Sequence, residues 1–483
     1  MTWFRRSTPT PTRETAVDEQ ATDADIHLAY ELVLHRKPDP DGLRHYTALA
    51  ADGLTFRALI DALMNSPEYR GHVAARQSAP VAPDPIADAT TIKPADIIAR
   101  YSVEELIATA DDYYRGVSDP TPLMSRPFGY LHEAPVMLQS LGALFAGLQL
   151  GKTMTVLEFG SGPCWLSRHL AQLNCQPICC DVSKAALDIG RRLFAEYPVM
   201  GEAAFAPSFL QFDGHRLELG DGSVDRIVCF DAFHHVPNVA EVIAEFSRVL
   251  RAGGIAGFSE PGRVHSRSPQ AQVEMRDHRV LENDIDLNVI SSIARAAGFT
   301  HLTVRVGNEL EVSLEDYEAI VEEGGGEVER AIWKNTCDTM RSRAVFFLHK
   351  GELRRDSRSH VGLAHAMRTS SLDRDVPRGA PLEIALDLTN TGQATWLTTN
   401  TRALGIVRIA THLYDWNGKL IAVDHSRHDL PHEVRPGESI RMRVDVPLPA
   451  DGSFVVGVDL VAEGVIWFEN VGSRPLMIKA RRT

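Results

Sequence analysis

The chain has 483 residues, too many for one ordinary hydrophobic core, so two to four domains are expected. With 44% hydrophobic and 24% charged residues it has the composition of a globular protein, and its formal charge is −14. An acidic chain has no broad basic surface with which to displace counterions from phosphates, so nucleic acid is excluded as a partner.

Residues 1–22 are polar and rich in Thr and Pro, and are expected to be a disordered tail. They hold no apolar centre of the kind a secretory signal needs. From 23 to 72, Ile26, Ala29, Tyr30, Val33 and Leu34 recur at helical spacing. "KPDPDG" then turns the chain, Leu43, Tyr46, Leu49 and Ala50 restart the period, and Phe56, Leu59, Ile60 and Leu63 give a third helix. The pattern Y-x-x-V-L-H-R-K-P-D-P-D-G-L-x-x-Y with a later S-P-E-Y resembles a short helical family of unknown function. That family occurs in bacterial surface-associated and glycan-related proteins and is similar to phycobilisome linker segments. The resemblance implies an adaptor and no chemistry. Residues 73–95, rich in Ala and Pro, are expected to be a linker.

From 96 to 350, apolar strand-like runs alternate with amphipathic helices, which predicts a doubly wound α/β sheet. "TVLEFGSGPCWLS" is a strand, a glycine-spaced turn and a helix start. Gly160 and Gly162 allow either a plain tight turn or a close approach to a ligand. Downstream, one strand ends in Asp181, where an acid can hydrogen-bond ribose hydroxyls, and others end near Asp213, at Asp231 and at Glu260. Five of the six cysteines lie between Cys164 and Cys229 in segments that read as buried strands and turns; reduced thiols in a cytoplasmic protein fit best. Cys179 and Cys180 are adjacent in a strand and should face opposite sides, which argues against a metal site there.

"VLEFGSG", "CCDVS", "QFDGHRLELGDGSVDRIVCFDAFHHV" and "RVLRAGGIAGFSEP", in this order, resemble the class I S-adenosylmethionine-dependent methyltransferases. The resemblance implies a Rossmann-like domain with a seven-stranded, mostly parallel sheet, and S-adenosylmethionine as cofactor. It implies that Glu158, Gly160 and Gly162 cradle the methionine part, that Asp181 holds the ribose and that Val182 packs on the adenine. Asp213 would accept from the adenine amino group with Gly214 beside it, and Asp231 and Ala232 would form the floor under the sulfonium. Cys164 takes the place of a third glycine, which a cofactor without a pyrophosphate tolerates better than a dinucleotide does. Tyr113, Tyr114, Phe128 and Tyr130 are candidates to cover the cofactor.

For catalysis, His234 and His235 follow the fourth strand, where an acceptor approaches, and either is a candidate base. Glu260 is the third candidate. The polar segment holding His265, Ser268, Glu274, His278, Glu282 and Asp284 is placed as a lid. Its spacing shows no distinctive ligand pattern, so no metal is expected.

Residues 351–375 are polar and expected to be a second linker. From 376 to 483, short alternating strands split by Gly, Pro, Asn and Asp predict an all-β sandwich. "DLTNTGQATW", "YDWNGKLI" and "DLVAEGVIWFENVGSRP" resemble an immunoglobulin-like module of bacterial glycan-modifying enzymes. Trp396, Trp416 and Trp467 are core residues or sugar-stacking platforms, with core favoured.

The expected protein is a multidomain, cytoplasmic S-adenosylmethionine-dependent methyltransferase, O-methylating a sugar of a bacterial surface polysaccharide or of its lipid-linked precursor. No run approaches the roughly 18 apolar residues of a spanning helix, so any membrane association would be peripheral, through a lipid-linked substrate. The alternatives are a methyltransferase for another small molecule, of quinone or polyketide type, and a non-catalytic glycan-binding scaffold with a vestigial cofactor fold.

Overall fold

The computed structural model describes residues 20–34, 36–70, 91–200, 205–307, 310–322 and 327–483. Most of the expected tail at 1–22 and of the expected linker at 73–95 lies outside the described residues. The chain divides into two compact units, Met1–Thr91 and Ile92–Thr483. Among the described residues, no helix is long and apolar enough to cross a membrane.

The first unit holds helices α1 (Asp23–Leu34), α2 (Pro40–Ala51) and α3 (Phe56–Met64). The "PDPDG" turn starts α2: the Asp39 side chain accepts from Gly42 N at 2.8 Å, and Pro40 takes the first turn, where its missing N–H costs nothing. Ile26, Ala29, Tyr30, Val33 and Leu34 of α1 meet Leu59 and Leu63 of α3 in one buried cluster.

The second unit begins with α4 (Pro94–Arg100), α5 (Val103–Arg115) and α6 (Ala134–Leu148). A seven-stranded sheet follows, with β1 (Thr155–Phe159), β2 (Gln176–Asp181), β3 (Ser208–Gln211), β4 (Val224–Phe230), β5 (Leu250–Pro261), β6 (His301–Arg305) and β7 (Arg343–His349). Its order is β3-β2-β1-β4-β5-β7-β6, parallel except for β7, which is antiparallel to β5 and β6. The strand order reverses between β1 and β4, which opens a crevice at their carboxyl ends. Every residue of β4 is buried, as helices on both faces of a parallel sheet require. Cys179 packs beside Cys164 and Leu187 on one face and Cys180 beside Leu157 on the other; all six cysteines are free thiols.

The carboxyl-terminal region is two sheets sharing one core. One has the order β10 (Asp373–Val376), β16 (Leu476–Arg482), β15 (Ser453–Ala462), β12 (Val407–Asp415), β13 (Leu420–Asp429). The other is β14 (Ser439–Val446), β11 (Leu382–Asn390), β9 (His365–Arg368). Strict alternation along β11 buries Leu382, Ile384, Leu386 and Leu388. The 351–375 segment, expected as a linker, carries β8 (Arg355–Asp356), β9 and most of β10. Its polar residues are the outward and interface positions of short strands, which composition alone does not separate from a linker.

Trp396 is fully buried in this core. Trp467 stacks on His412, with centroids 4.2 Å apart, and carries Arg427 at 4.6 Å. Trp416 is 41% exposed and carries Arg481 at 5.0 Å and Lys479 at 5.5 Å. The two β sheets dock on the seven-stranded sheet through Arg358, which pairs with buried Asp225 of β4 at 3.0 Å and with Asp356 at 2.8 Å. Asn400 donates to Thr153 Oγ1 at 2.7 Å across the same seam.

Candidate active site

A cavity of about 680 Å³ opens at the carboxyl ends of β1, β2, β4 and β5. Of the expected cofactor residues, Gly160, Asp181, Val182, Gly214, Asp231 and Ala232 line it. Gly160 has φ 67°, and a Cβ there would strike the Cβ of Ala232. The glycine is therefore what lets the β1 loop close against the end of β4. A Cβ on Gly162 would sit 2.7 Å from Tyr114 Oη, so the α5 tyrosine covers this loop. Tyr113 and Tyr114 line the cavity; Phe128 and Tyr130 are exposed and are not on its wall.

Asp181 ties the cradle together: one carboxylate oxygen accepts from Gly162 N at 2.7 Å and the other from Ser183 N at 2.8 Å. Burial nevertheless pushes its carboxyl up to about 6.

Four expected contacts are corrected. Gly162 is not on the cavity wall, because Tyr114 covers it. Glu158 is not on the cavity wall. It is buried under the loop, and its Oε2 accepts from Ser167 N at 2.7 Å and from the Ser167 hydroxyl, tying β1 to α7 (Trp165–Gln172). Burial raises its carboxyl to about 8. Strand alternation is the reason: Glu158 points into the helix layer, not along the crevice. Asp213 turns into its own loop and accepts from His215 N and Arg216 N, both at 2.8 Å, while Gly214 beside it reaches the cavity. These bonds hold the Asp213 carboxyl below its usual range. Glu260 is fully buried and is also off the wall.

Glu260 instead organises the turn after β4. Its Oε1 accepts from Ala232 N at 3.1 Å and Phe233 N at 3.0 Å. Its Oε2 accepts from His234 Nδ1 at 2.7 Å. Burial alone would raise the Glu260 carboxyl, but the His234 bond and charge outweigh it and hold it low. Burial likewise opposes the charged form of His234, and Glu260 outweighs that and raises it. His235 Nδ1 donates to the Leu281 carbonyl at 2.7 Å, and desolvation beside His234 lowers this imidazole to about 4.

The expected lid meets this turn. His265 Nε2 lies 2.6 Å from Glu282 Oε2, and His234 Nε2 lies 3.5 Å from the same oxygen. Ser266 donates to Asp284 through N at 2.8 Å and Oγ at 2.9 Å, fixing the two segments together. His265, Glu274 and Glu282 line the cavity; Ser268 caps a short helix by accepting from Ala271 N, and His278 and Asp284 lie off the wall.

Arg343 was not anticipated from the sequence. As the first residue of antiparallel β7 it crosses β5 and reaches Asp231, giving that aspartate a half-buried cation. The partners stand 112 positions apart in the chain, and only the sheet order brings them together.

The glycine-pinched loop, the acid at the end of β2 and the crevice at the strand reversal all lie within a segment that matches a known methyltransferase family model. Residues 157–258 match the family model described as a methyltransferase domain. Residues 14–73 match a domain of unknown function (DUF4214). An uncharacterised methyltransferase of Schizosaccharomyces pombe is 29% identical over 103 residues, 21% of this chain and 36% of that protein. A ubiquinone biosynthesis O-methyltransferase of Shewanella halifaxensis is 28% identical over 129 residues, 27% of this chain and 51% of that protein. The chain thus spans about half or less of the length of these curated relatives. A solved structure of phosphoethanolamine N-methyltransferase 2 from Haemonchus contortus, in complex with S-adenosylhomocysteine, is 16% identical, with 53% of this chain and 61% of that chain covered and a TM-score of 0.37.

Proposed function

We propose that the protein is an S-adenosylmethionine-dependent O-methyltransferase whose acceptor is a sugar hydroxyl of a surface polysaccharide or of its lipid-linked precursor. The observation that carries the enzyme reading is that Gly160, where a Cβ would strike Ala232, lines one cavity at the strand ends together with Asp181. Gly160 would receive the methionine part of the cofactor, Asp181 the ribose hydroxyls, and Val182 the adenine. When bound, S-adenosylmethionine supplies a methyl group on a sulfonium, open to in-line displacement.

The chain's own residues position the acceptor behind that methyl. His234 and His235 are turned to the cavity by Glu260 and by the Leu281 carbonyl, and they are the groups that activate the acceptor oxygen. Glu260 is a positioning residue, because it is walled off from the cavity. The polar wall of His234, His235, His265, Glu274 and Glu282 supports a hydroxylated acceptor over an apolar one. The glycan-associated character of the modules that the two flanking regions resemble supports a sugar in particular.

Calorimetry with S-adenosylhomocysteine tests the cofactor reading, with tight binding expected and a loss of at least tenfold in Asp181→Ala. Absence of binding overturns it. Transfer of labelled methyl groups to a panel of surface glycans, set beside quinone and polyketide acceptors, tests the acceptor; label entering only the latter overturns the sugar reading.

A further inference from the structure

The wall of His234, His235 and Glu282 has a chemistry that acceptor positioning alone does not require. One potential ligand atom from each of the three residues lies within 4.8 Å of the other two. Nδ1 of His234 donates to buried Glu260 at 2.7 Å, which leaves its Nε2 as an available donor, 3.5 Å from Glu282 Oε2. For His234 this is the arrangement that outer partners impose on metal-binding histidines: a carboxylate on one ring nitrogen sets the tautomer and aims the other. His235 turns Nδ1 towards both the Leu281 carbonyl, at 2.7 Å, and Glu282 Oε1, at 3.7 Å.

Glu282 is 5% exposed, a carboxylate in a nearly dry place. The ion-pair partners found for it among the described residues are imidazoles: His265 at 2.6 Å, His234 at 3.5 Å and His235 at 3.7 Å. A buried carboxylate needs a compensating charge. Ligand atoms on a four-coordinate zinc-type centre, with bonds of about 2.0–2.1 Å, lie roughly 3.3–3.4 Å from one another. The 3.5 Å between His234 Nε2 and Glu282 is close to that separation.

We propose that His234, His235 and Glu282 bind one divalent transition-metal cation in the cavity wall, with Glu260 holding the His234 imidazole and His265 holding the carboxylate. Two imidazoles and one carboxylate suit Zn²⁺, Mn²⁺ or Fe²⁺ better than Mg²⁺ or Ca²⁺, which take oxygen donors. All three residues face the cavity, so a coordination position is left open towards an acceptor. The cation's role is that of a Lewis acid: it takes the acceptor oxygen, lowers the pKa of its O–H, and the proton leaves to solvent. This role deepens the methyltransferase reading and rests on it; the existence of the site does not. The sequence gives no spacing signal because the ligands come from two distant segments, the turn after β4 and the end of the lid.

The test uses the full chain, stripped with a chelator and titrated with Zn²⁺ and, for its visible spectrum, Co²⁺. One equivalent should bind, with the absorption of nitrogen- and oxygen-ligated Co²⁺. Glu282→Gln and His235→Ala should each weaken binding at least tenfold, with circular dichroism and S-adenosylhomocysteine affinity unchanged. Glu260→Gln should weaken it by about 10–100-fold, as loss of an outer partner does. Failure of the wild-type chain to bind either ion stoichiometrically, or variants that bind like wild type, overturns the site. A chain that binds the metal but not S-adenosylhomocysteine keeps the site and overturns the methyltransferase reading; the converse result overturns the site alone.

Discussion

Arg343 grips both carboxylate oxygens of Asp231, at 2.8 and 3.0 Å, and also donates to Ser259 Oγ at 2.9 Å. The pair ties the end of β4 to the start of β7 across β5. The side chains are 26% and 36% exposed, so solvent screens the pair and its worth is below that of a fully buried one. Arg343→Met is expected to cost about 1–2 kcal/mol in denaturant unfolding. Much of that cost is the unpaired aspartate, so adding Asp231→Asn should recover part of it. Strictly additive losses in the double-mutant cycle would count against this coupling.

Cys164 has φ 62°, the left-handed region that favours glycine, and it stands where a third glycine was expected. The structure accommodates it from the other side. Gly190 of α8 (Lys184–Glu196) leaves open the space that the Cys164 side chain occupies. A Cβ on Gly190 would lie 2.9 Å from Cys164 Cβ and 3.3 Å from the Pro163 carbonyl, with Sγ closer still. Gly190→Ala should therefore destabilise by about 1–3 kcal/mol, despite alanine's better helix propensity. Cys164→Gly in the same chain should restore most of the loss. A thermal melt of Gly190→Ala at or above wild type would refute the fit.

These two pairs show what the sequence could carry. The sheet, the helical unit and the tight turn at Gly160 were legible because strand and helix periods, turn glycines and strand-end acids are local signals. Gly160, Asp181, Ala232 and both histidines came to one cavity as the ordered motifs implied. Arg343, Gly190 and the Glu282 carboxylate among its histidines were not legible in the same way, since each matters only through a partner far along the chain. Glu158, Asp213 and Glu260 were found in the right neighbourhood but with the wrong orientation. Side-chain direction at a strand end depends on the pleat and on which backbone N–H groups are free, and a motif records neither. The 351–375 segment was missed because two- to four-residue strands hold too few apolar residues to show a period.

Glu158 makes the unliganded domain pH-sensitive. Its ordinary value is 4.5, and burial raises it to about 8 in the fold, against the Ser167 hydrogen bonds that lower it. For a carboxyl whose folded pKa is raised, the folded state binds the proton more tightly than the unfolded state. The stability this gives is fully present below about 4.5 and is lost as pH rises through about 8. Glu158→Gln keeps an acceptor for Ser167 and cannot ionise. The stability gap in its favour should be near zero at pH 4.5 and should grow to a few kcal/mol by pH 8, an order-of-magnitude figure. Denaturant midpoints measured across that range check it, and a gap that does not change with pH would show that Glu158 does not carry the linkage.

Arg358 is the hinge pin between the central sheet and the two β sheets that follow it. Its guanidinium reaches Asp225 at 3.0 Å and Asp356 at 2.8 Å, and its carbonyl accepts from Lys152 N at 2.8 Å. Gly405 comes so near that a Cβ there would lie 2.8 Å from Arg358 Cα. Burial opposes the charged guanidinium, but its two carboxylate partners outweigh that and raise its pKa. Removing the arginine leaves Asp225, 6% exposed, with only part of its compensation, from Arg251. Breaking a buried pair from one side typically costs about 3–5 kcal/mol. Arg358→Ala should therefore loosen the seam before it unfolds either side. Limited proteolysis is expected to cut first within 350–360, and a single unfolding transition should split into two. If the variant keeps one cooperative transition at the wild-type midpoint, the seam is held by its backbone and apolar contacts and the charge cluster is dispensable.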